Sequence, residues 1–271
     1  RKIRNTLRFI LGNMKNFKKK NEHYKSFDNL DKLILNKLFS KNEEIEKLYK
    51  NFNFNRVFQI IVGFCSQELS AIFFDIRKDS LYCDSPESLK VKCSKTVLWH
   101  TFNCLIRWIS PIIPFTAEEA WQSWREEIDE EAEESCHLLK SLDLPSVWKN
   151  NEIDLLWNKI LIIKDLFSSI VENKRNNGEI KSSLEAEVFI CLKNEFITIK
   201  NKVDLSEILI SSHVHFVDEV DEKFESMESS NEVQIKVNKS RANKCPRCWR
   251  YLEEQDIKSY LCKRCESVLN D

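Results

Sequence analysis

The chain has 271 residues, a formal net charge of −1, ten cysteines and three glycines. Glycine is thus about 1% of the chain against a usual share of roughly 7%, and Gly12, Gly63 and Gly178 lie far apart. That excludes the G-x-G-x-x-G and G-x-x-x-x-G-K-[ST] phosphate loops, which need glycine where the backbone approaches a phosphate or takes positive φ. Few glycines and five prolines also argue against a sandwich or barrel with many tight turns. An apolar fraction of 42% is enough for a real core, so a mainly α chain of one to three domains is expected.

The first residue is Arg1, which suggests a fragment whose N-terminal part lies elsewhere. No signal peptide opens the chain, and no apolar stretch is expected to reach the ~18 residues of a membrane span. Residues 1–20 carry eight Lys or Arg and no acid. Arg1, Arg4 and Arg8 recur at helical spacing, as do Ile3, Leu7 and Leu11, so an amphipathic helix with a basic face is predicted. On its own such a face reads as solvated.

A second helix is predicted from Leu30 to Phe52 and a third from Val57 to Ile76, with Asp84-Ser85-Pro86 as a break. A fourth runs through Leu98, Phe102, Leu105 and Ile109 and stops near Pro111 and Pro114. Thr116 with Glu119 reads as a capping box opening a short helix through Trp121 and Trp124. Long helices with short links predict an antiparallel bundle over residues 1–150. Seven acids between 126 and 134 mark a solvated helix end or loop, and Leu155–Lys174 is again amphipathic, with a turn at Gly178.

The pattern then changes. Residues 185–192, the stretch around Val214 and Phe216, and Val233-Gln-Ile-Lys-Val237 read as strands. A short helix is expected over 203–210 and a mobile acidic connection over 218–228. Residues 151–240 are therefore read as a small α/β module. His213 and His215 share a face if the strand forms, and with no further ligands nearby they read as an ordinary surface strand.

The strongest chemical signal is Cys245-Pro-Arg-Cys248, thirteen intervening residues, and Cys262-Lys-Arg-Cys265. Two C-x-x-C knuckles supply four thiolates to the corners of a tetrahedron, with metal–sulfur bonds of about 2.3 Å. Four thiolates leave no open position for water, so residues 241–271 are read as a module around one structural Zn2+. The other cysteines, Cys65, Cys83, Cys93, Cys104, Cys136 and Cys191, are scattered and read as buried, inert thiols. From Lys236 to Arg250 there are six basic residues, among them Arg241, Lys244, Arg247 and Arg250, and no acid. Trp249 follows the second cysteine. It either covers the metal core or offers its indole to a splayed base. No nucleophile pattern or carboxylate dyad nominates a catalytic residue. One reading is a helical protein-interaction module with a zinc ribbon, using its acidic runs. The other is an RNA-binding segment.

Several motifs decide between them. Arg1-Lys-Ile-Arg-Asn-Thr-Leu-Arg-Phe9 with Leu11-Gly-Asn13, Leu69-Ser-Ala-Ile-Phe-Phe-Asp75, Pro111-Ile-Ile-Pro-Phe-Thr-Ala-Glu-Glu119 with Trp121, Ser182-Ser-Leu-Glu-Ala186 and the cysteine tail form one ordered string. That string resembles the C-terminal part of the bacterial-type isoleucyl-tRNA synthetase family, and the resemblance runs along nearly the whole chain. It implies a helical anticodon-binding domain, a small junction and a zinc tail that grips the anticodon stem-loop of isoleucine tRNA. The family's H-I-G-H and K-M-S-K-S signatures are absent here. ATP, Mg2+ and the catalytic and editing domains are therefore expected in an upstream part, and this segment has no catalytic residue of its own. The resemblance implies that Arg247 and Trp249 contact anticodon nucleotides. It also turns Lys244, Arg241, Arg250 and the Arg1, Arg4 and Arg8 face into expected RNA contacts. It further implies a cytoplasmic, monomeric enzyme of a bacterium or an organelle, with no membrane partner.

Overall fold

The computed structural model describes residues 1–15, 17, 26–227, 230–253 and 259–270. The chain forms two compact units, Arg1–Leu81 with Pro86–Ile153, and Tyr82–Ser85 with Asp154–Asp271.

The first unit is helical. Helix α1 (Lys2–Met14) buries Ile3, Leu7, Ile10 and Met14 along one stripe, while Arg1, Arg4 and Arg8 stay exposed. Helix α2 (Asn29–Lys50) is capped by Asp28, whose carboxylate accepts from the Leu30 and Asp31 amides at 2.9 and 3.0 Å. The predicted third helix is one continuous rod, α3 (Phe54–Gly63) running into α4 (Asp75–Cys83) through a wider-wound π segment, Phe64–Phe74. Within that segment the Ser70 hydroxyl donates to the carbonyl of Cys65, five residues back, at 2.6 Å.

By length and composition the Phe54–Cys83 rod could cross a membrane, its most apolar 18-residue window having a mean hydropathy of 1.6. This corrects the expectation that no stretch is long and apolar enough. One side of it belongs to the core, where Val57, Ile61, Phe64, Leu69 and Phe73 are buried, and α3 packs on α2 and α5 (Leu89–Ile109), while Phe54 and Phe58 are exposed. Arg77, fully buried within it, forms ion pairs with Asp28 and Asp31 at 2.5 and 3.0 Å.

Helix α6 (Pro114–Glu127) packs on α5 through Phe102, stacked on Trp124 with ring centroids 4.1 Å apart. The Thr116–Glu119 capping box is corrected: the helix begins three residues earlier, with Ile113 at the cap position. Pro114 stands at its first position, where a missing N–H costs nothing, and no side chain caps it.

The second unit carries most of helix α7 (Asn151–Asn176), whose Trp157, Ile160, Ile163 and Phe167 are buried, and a four-stranded sheet. Gly178 follows α7 at φ 74°, as the turn there requires. Strands β1 (Ala186–Leu192), β2 (His213–Phe216), β3 (Glu225–Met227) and β4 (Ser230–Lys239) lie in the order β2-β1-β4-β3. The β1–β2 pair is parallel, so the chain must cross over between them. It does so through 3₁₀ turns over Asn194–Asn201 and a single turn α8 (Leu205–Ile208), shorter than the helix expected over 203–210. The acidic stretch read as a connection contains β3, which pairs antiparallel with β4. One sheet face buries Val188, Ile190, Val233, Ile235 and Val237. The other carries Glu187, Phe189, His213, His215, Lys236 and Asn238.

Candidate metal centre and nucleic-acid interface

A two-stranded ribbon, β5 (Asn243–Lys244) with β6 (Tyr251–Leu252), holds the first knuckle at its tip. The Cys245 amide donates to the Arg250 carbonyl and the Trp249 amide to the Cys245 carbonyl, both at 2.9 Å. Closing so tight a turn puts Trp249 at φ 65°, in the left-handed region. The second knuckle opens helix α9 (Lys263–Asn270), with Cys262 just before it and Cys265 in its first turn. A helix N-terminus favours a thiolate there.

The four sulfurs of Cys245, Cys248, Cys262 and Cys265 lie within 4.8 Å of one another, and all four residues are buried. The Cys248 and Cys262 sulfurs are 3.8 Å apart, far beyond the ~2.05 Å of a disulfide. A tetrahedron with bonds of about 2.3 Å to its centre has edges of about 3.8 Å, so the donor set fits a thiolate-bound metal. Burial raises the Cys245 thiol, but the amides of Cys248, Cys262 and Arg247 outweigh it and bring it down to about 6. Burial and neighbouring sulfurs push Cys248 and Cys262 up. A divalent cation removes that mutual repulsion. Among the described residues, Leu252 and Leu261 are the partly buried apolar side chains packed against the cysteines, a small apolar share for a folded module.

A fifth cysteine, Cys83, belongs to the same buried cluster. Arg247 explains how. Its Nη1 donates to the Cys83 carbonyl at 2.5 Å and its Nη2 to that of Tyr82 at 3.3 Å, the last carbonyls of α4. The neighbouring Cys265 sulfur holds the guanidinium more firmly protonated. Arg264 pairs with Asp84 at 3.2 Å, completing a clamp on residues 82–85. Arg247 therefore caps orphan helix carbonyls. Nothing local in the sequence signals Cys83, because its neighbours in the fold are about 160 residues away.

The remaining cysteines behave as buried thiols. Burial pushes Cys65 and Cys93 up to about 11 and Cys104 up to about 12. A second group, Glu118, Cys136 and His137, has ligand-type atoms close together. Burial raises the Glu118 carboxyl, but donors from Gln122, Cys136 and Ser135 outweigh it and hold it at about 2. Cys136 is pushed up to about 12. This carboxylate clamps the turn after α6.

Trp249 is 59% exposed, and the Lys244 ammonium sits 5.2 Å from its ring centroid. The indole does not roof the sulfurs; it stands out from a rigid knuckle beside a cation. Arg241 is exposed, and Arg250 is half-buried. Arg1, Arg4 and Arg8 belong to the other unit. There Arg4 hydrogen-bonds Glu119, and Arg4 and Arg8 line a 310 Å³ hollow with Thr116 and Ser123.

Residues 31–190 match the family model described as the anticodon-binding domain of tRNA ligase. The chain belongs to this tRNA-ligase anticodon-binding family. Residues 242–268, which hold the four cysteines, match the zinc finger found in FPG and IleRS. The anticodon-binding family members most similar along the chain include the isoleucine–tRNA ligase of Agrobacterium fabrum (strain C58), 33% identical over 92% of this chain and 26% of its own length. That of Mannheimia succiniciproducens is 33% identical over 100% of the chain and 29% of its own. That of Caldicellulosiruptor bescii is 34% identical over 99% and 29%. The chain thus spans little more than a quarter of the curated relatives it matches.

Proposed function

We propose that this chain is the tRNA-gripping C-terminal part of a cytoplasmic isoleucine–tRNA ligase, and that it holds the anticodon stem-loop of isoleucine tRNA. One Zn2+ on Cys245, Cys248, Cys262 and Cys265 shapes the knuckle that carries the contact, and supplies no reaction chemistry. ATP, Mg2+ and the joining of isoleucine to tRNA belong to the catalytic and editing domains of the same enzyme, which works as a monomer. In this reading residues 1–150, 151–240 and 241–271 are the helical, junction and zinc domains. Trp249 stacks an unpaired base, and Lys244, Arg241, Arg250 and the α1 arginines meet phosphates, with Arg247 set against the same strand.

The observation that supports this most is the exposed indole of Trp249 on a rigid knuckle with Lys244 over its ring. Base stacking on an aromatic contributes about 1–3 kcal/mol. Trp249→Ala should weaken binding of an isoleucine tRNA transcript by that amount with zinc content unchanged. Unchanged affinity at full zinc occupancy would remove Trp249 from the interface.

A further inference from the structure

Beside the knuckle, in the same unit, lies an open cleft of 730 Å³ lined by Glu187, His213, Asn238, Lys239, Arg241 and Glu253, among others. Its walls are the open face of the four-stranded sheet and the β5–β6 ribbon. They are tied together firmly: the Tyr251 amide donates to the Ser212 hydroxyl at 2.7 Å, and His213 Nε2 meets the Tyr251 carbonyl at 2.9 Å. A carbonyl only accepts, so Nε2 carries the proton and the His213 ring is fixed in orientation. The Ser240 amide donates to the Glu185 carbonyl at 2.7 Å, fixing the strand end that presents Lys239 and Arg241.

A ladder of rings runs along the same sheet face and reaches the cleft at its last member. Phe189 stacks on His215 at 5.0 Å and 24°, and His215 on His213 at 6.1 Å and 20°. The register accounts for this, since His213 lies opposite Glu187 and His215 opposite Phe189 on parallel strands. His215 is held by Glu187 at 3.1 Å, so that carboxylate is already engaged. The ladder ends in the cleft at His213, with exposed Arg241 on the rim and Lys239 beside it, exposed and paired with Glu185 at 3.6 Å.

We propose that this cleft is a second single-stranded RNA subsite, which takes one nucleotide next to the one held at Trp249. Arg241 and Lys239 meet its phosphate, its base extends the ring ladder at His213, and Asn238 offers an amide to the base edge. The proposal rests on the RNA-binding reading above. The volume suits a nucleotide-sized ligand. Stacking planes beside cations are what unpaired RNA requires. An acidic peptide would satisfy the cations and leave the ladder without a planar partner.

The test measures binding of an isoleucine tRNA transcript to the full chain over a salt series, for wild type, Trp249→Ala, Arg241→Gln and His213→Gln. The glutamine at 213 keeps a donor for the Tyr251 carbonyl while removing the ring. Arg241→Gln should lower the salt slope by about one unit. His213→Gln should weaken binding about five-fold or more with the slope unchanged. Wild-type affinity in both variants, with Trp249→Ala still weakened, overturns the cleft and leaves the knuckle reading standing. A charge effect at 241 with none at 213 overturns the stacking subsite. No binding by the wild type at low salt overturns both readings.

Discussion

In the helical unit, Arg77 is taken fully out of water and is met by Asp28 and Asp31. In the cysteine module, four sulfurs are taken out of water together and form a donor set that fits a metal. The difference follows from what surrounds each site. Arg77 sits in a core of long helices with Phe64, Phe73, Trp108 and many other apolar side chains buried. The knuckles have two leucines at their edge. One region can carry the cost of desolvated charge on packing; in the reading proposed above, the other depends on its metal.

Removal of the metal should separate the two most sharply. Structural zinc in small fingers contributes about 10–16 kcal/mol of apparent binding free energy coupled to folding. Chelation, or Cys262→Ser, should expose the amides of residues 243–252 and 262–270 to hydrogen exchange while α2 and α5 keep their protection. Equal loss of protection in both regions would break the contrast.

Arg77→Ala should come next. It leaves a buried carboxylate uncompensated, which costs about 3–5 kcal/mol. Thermal unfolding of the helical unit should report that loss, with zinc content unaffected.

Asp31 then gives the helical unit a pH signature. Burial lifts its carboxyl to about 7 against the pull of Arg77. Asp28 is held below its ordinary value: burial raises it, but Arg77 outweighs that. One guanidinium thus keeps one partner ionised and lets the other hold a proton. Between about pH 4 and pH 7 native Asp31 binds a proton that the unfolded chain has released, so stability falls as pH rises through that window. Asp28 contributes in the opposite sense, with stability present above its unfolded value and lost as pH falls. Urea midpoints at pH 5 and pH 7.5 should show the decline in wild type and lose it in Asp31→Asn.

The smallest effect concerns Arg247. Its guanidinium already serves two carbonyls. Arg247→Ala should cost about 1 kcal/mol of stability through lost hydrogen bonds. It should also loosen residues 82–85, seen as faster exchange there, and change the salt slope of tRNA binding by less than one unit. A full unit of slope would show that the side chain leaves its carbonyls for a phosphate.

Much of the fold was legible because its signals are local. The apolar stripes of α1, α2, α5 and α7 follow from a 3.6-residue period, and the breaks at Pro86 and Gly178 from backbone chemistry. The π winding of Phe64–Phe74 was not legible, since it keeps the same composition as an α-helix. Strand β3 was hidden in an acid-rich stretch, because it is held by pairing with β4. The membrane-like hydropathy of Phe54–Cys83 misleads in the same way: apolar content measures the demand for burial and says nothing of what meets it.

By itself the sequence determined the four-cysteine cluster and the broad architecture. C-x-x-C twice is a statement about two tight turns, and each turn is closed by residues next to it. The small glycine count had already excluded a phosphate loop, and a net charge of −1 concealed the basic run from Lys236 to Arg250. Only the tertiary structure decided the tasks of individual side chains. It joined Cys83 and Arg247 across some 160 residues, turned the Trp249 indole outward, and stacked Phe189, His215 and His213 on one sheet face. Such contacts depend on strand register and on which elements meet, and no local pattern of residues encodes either.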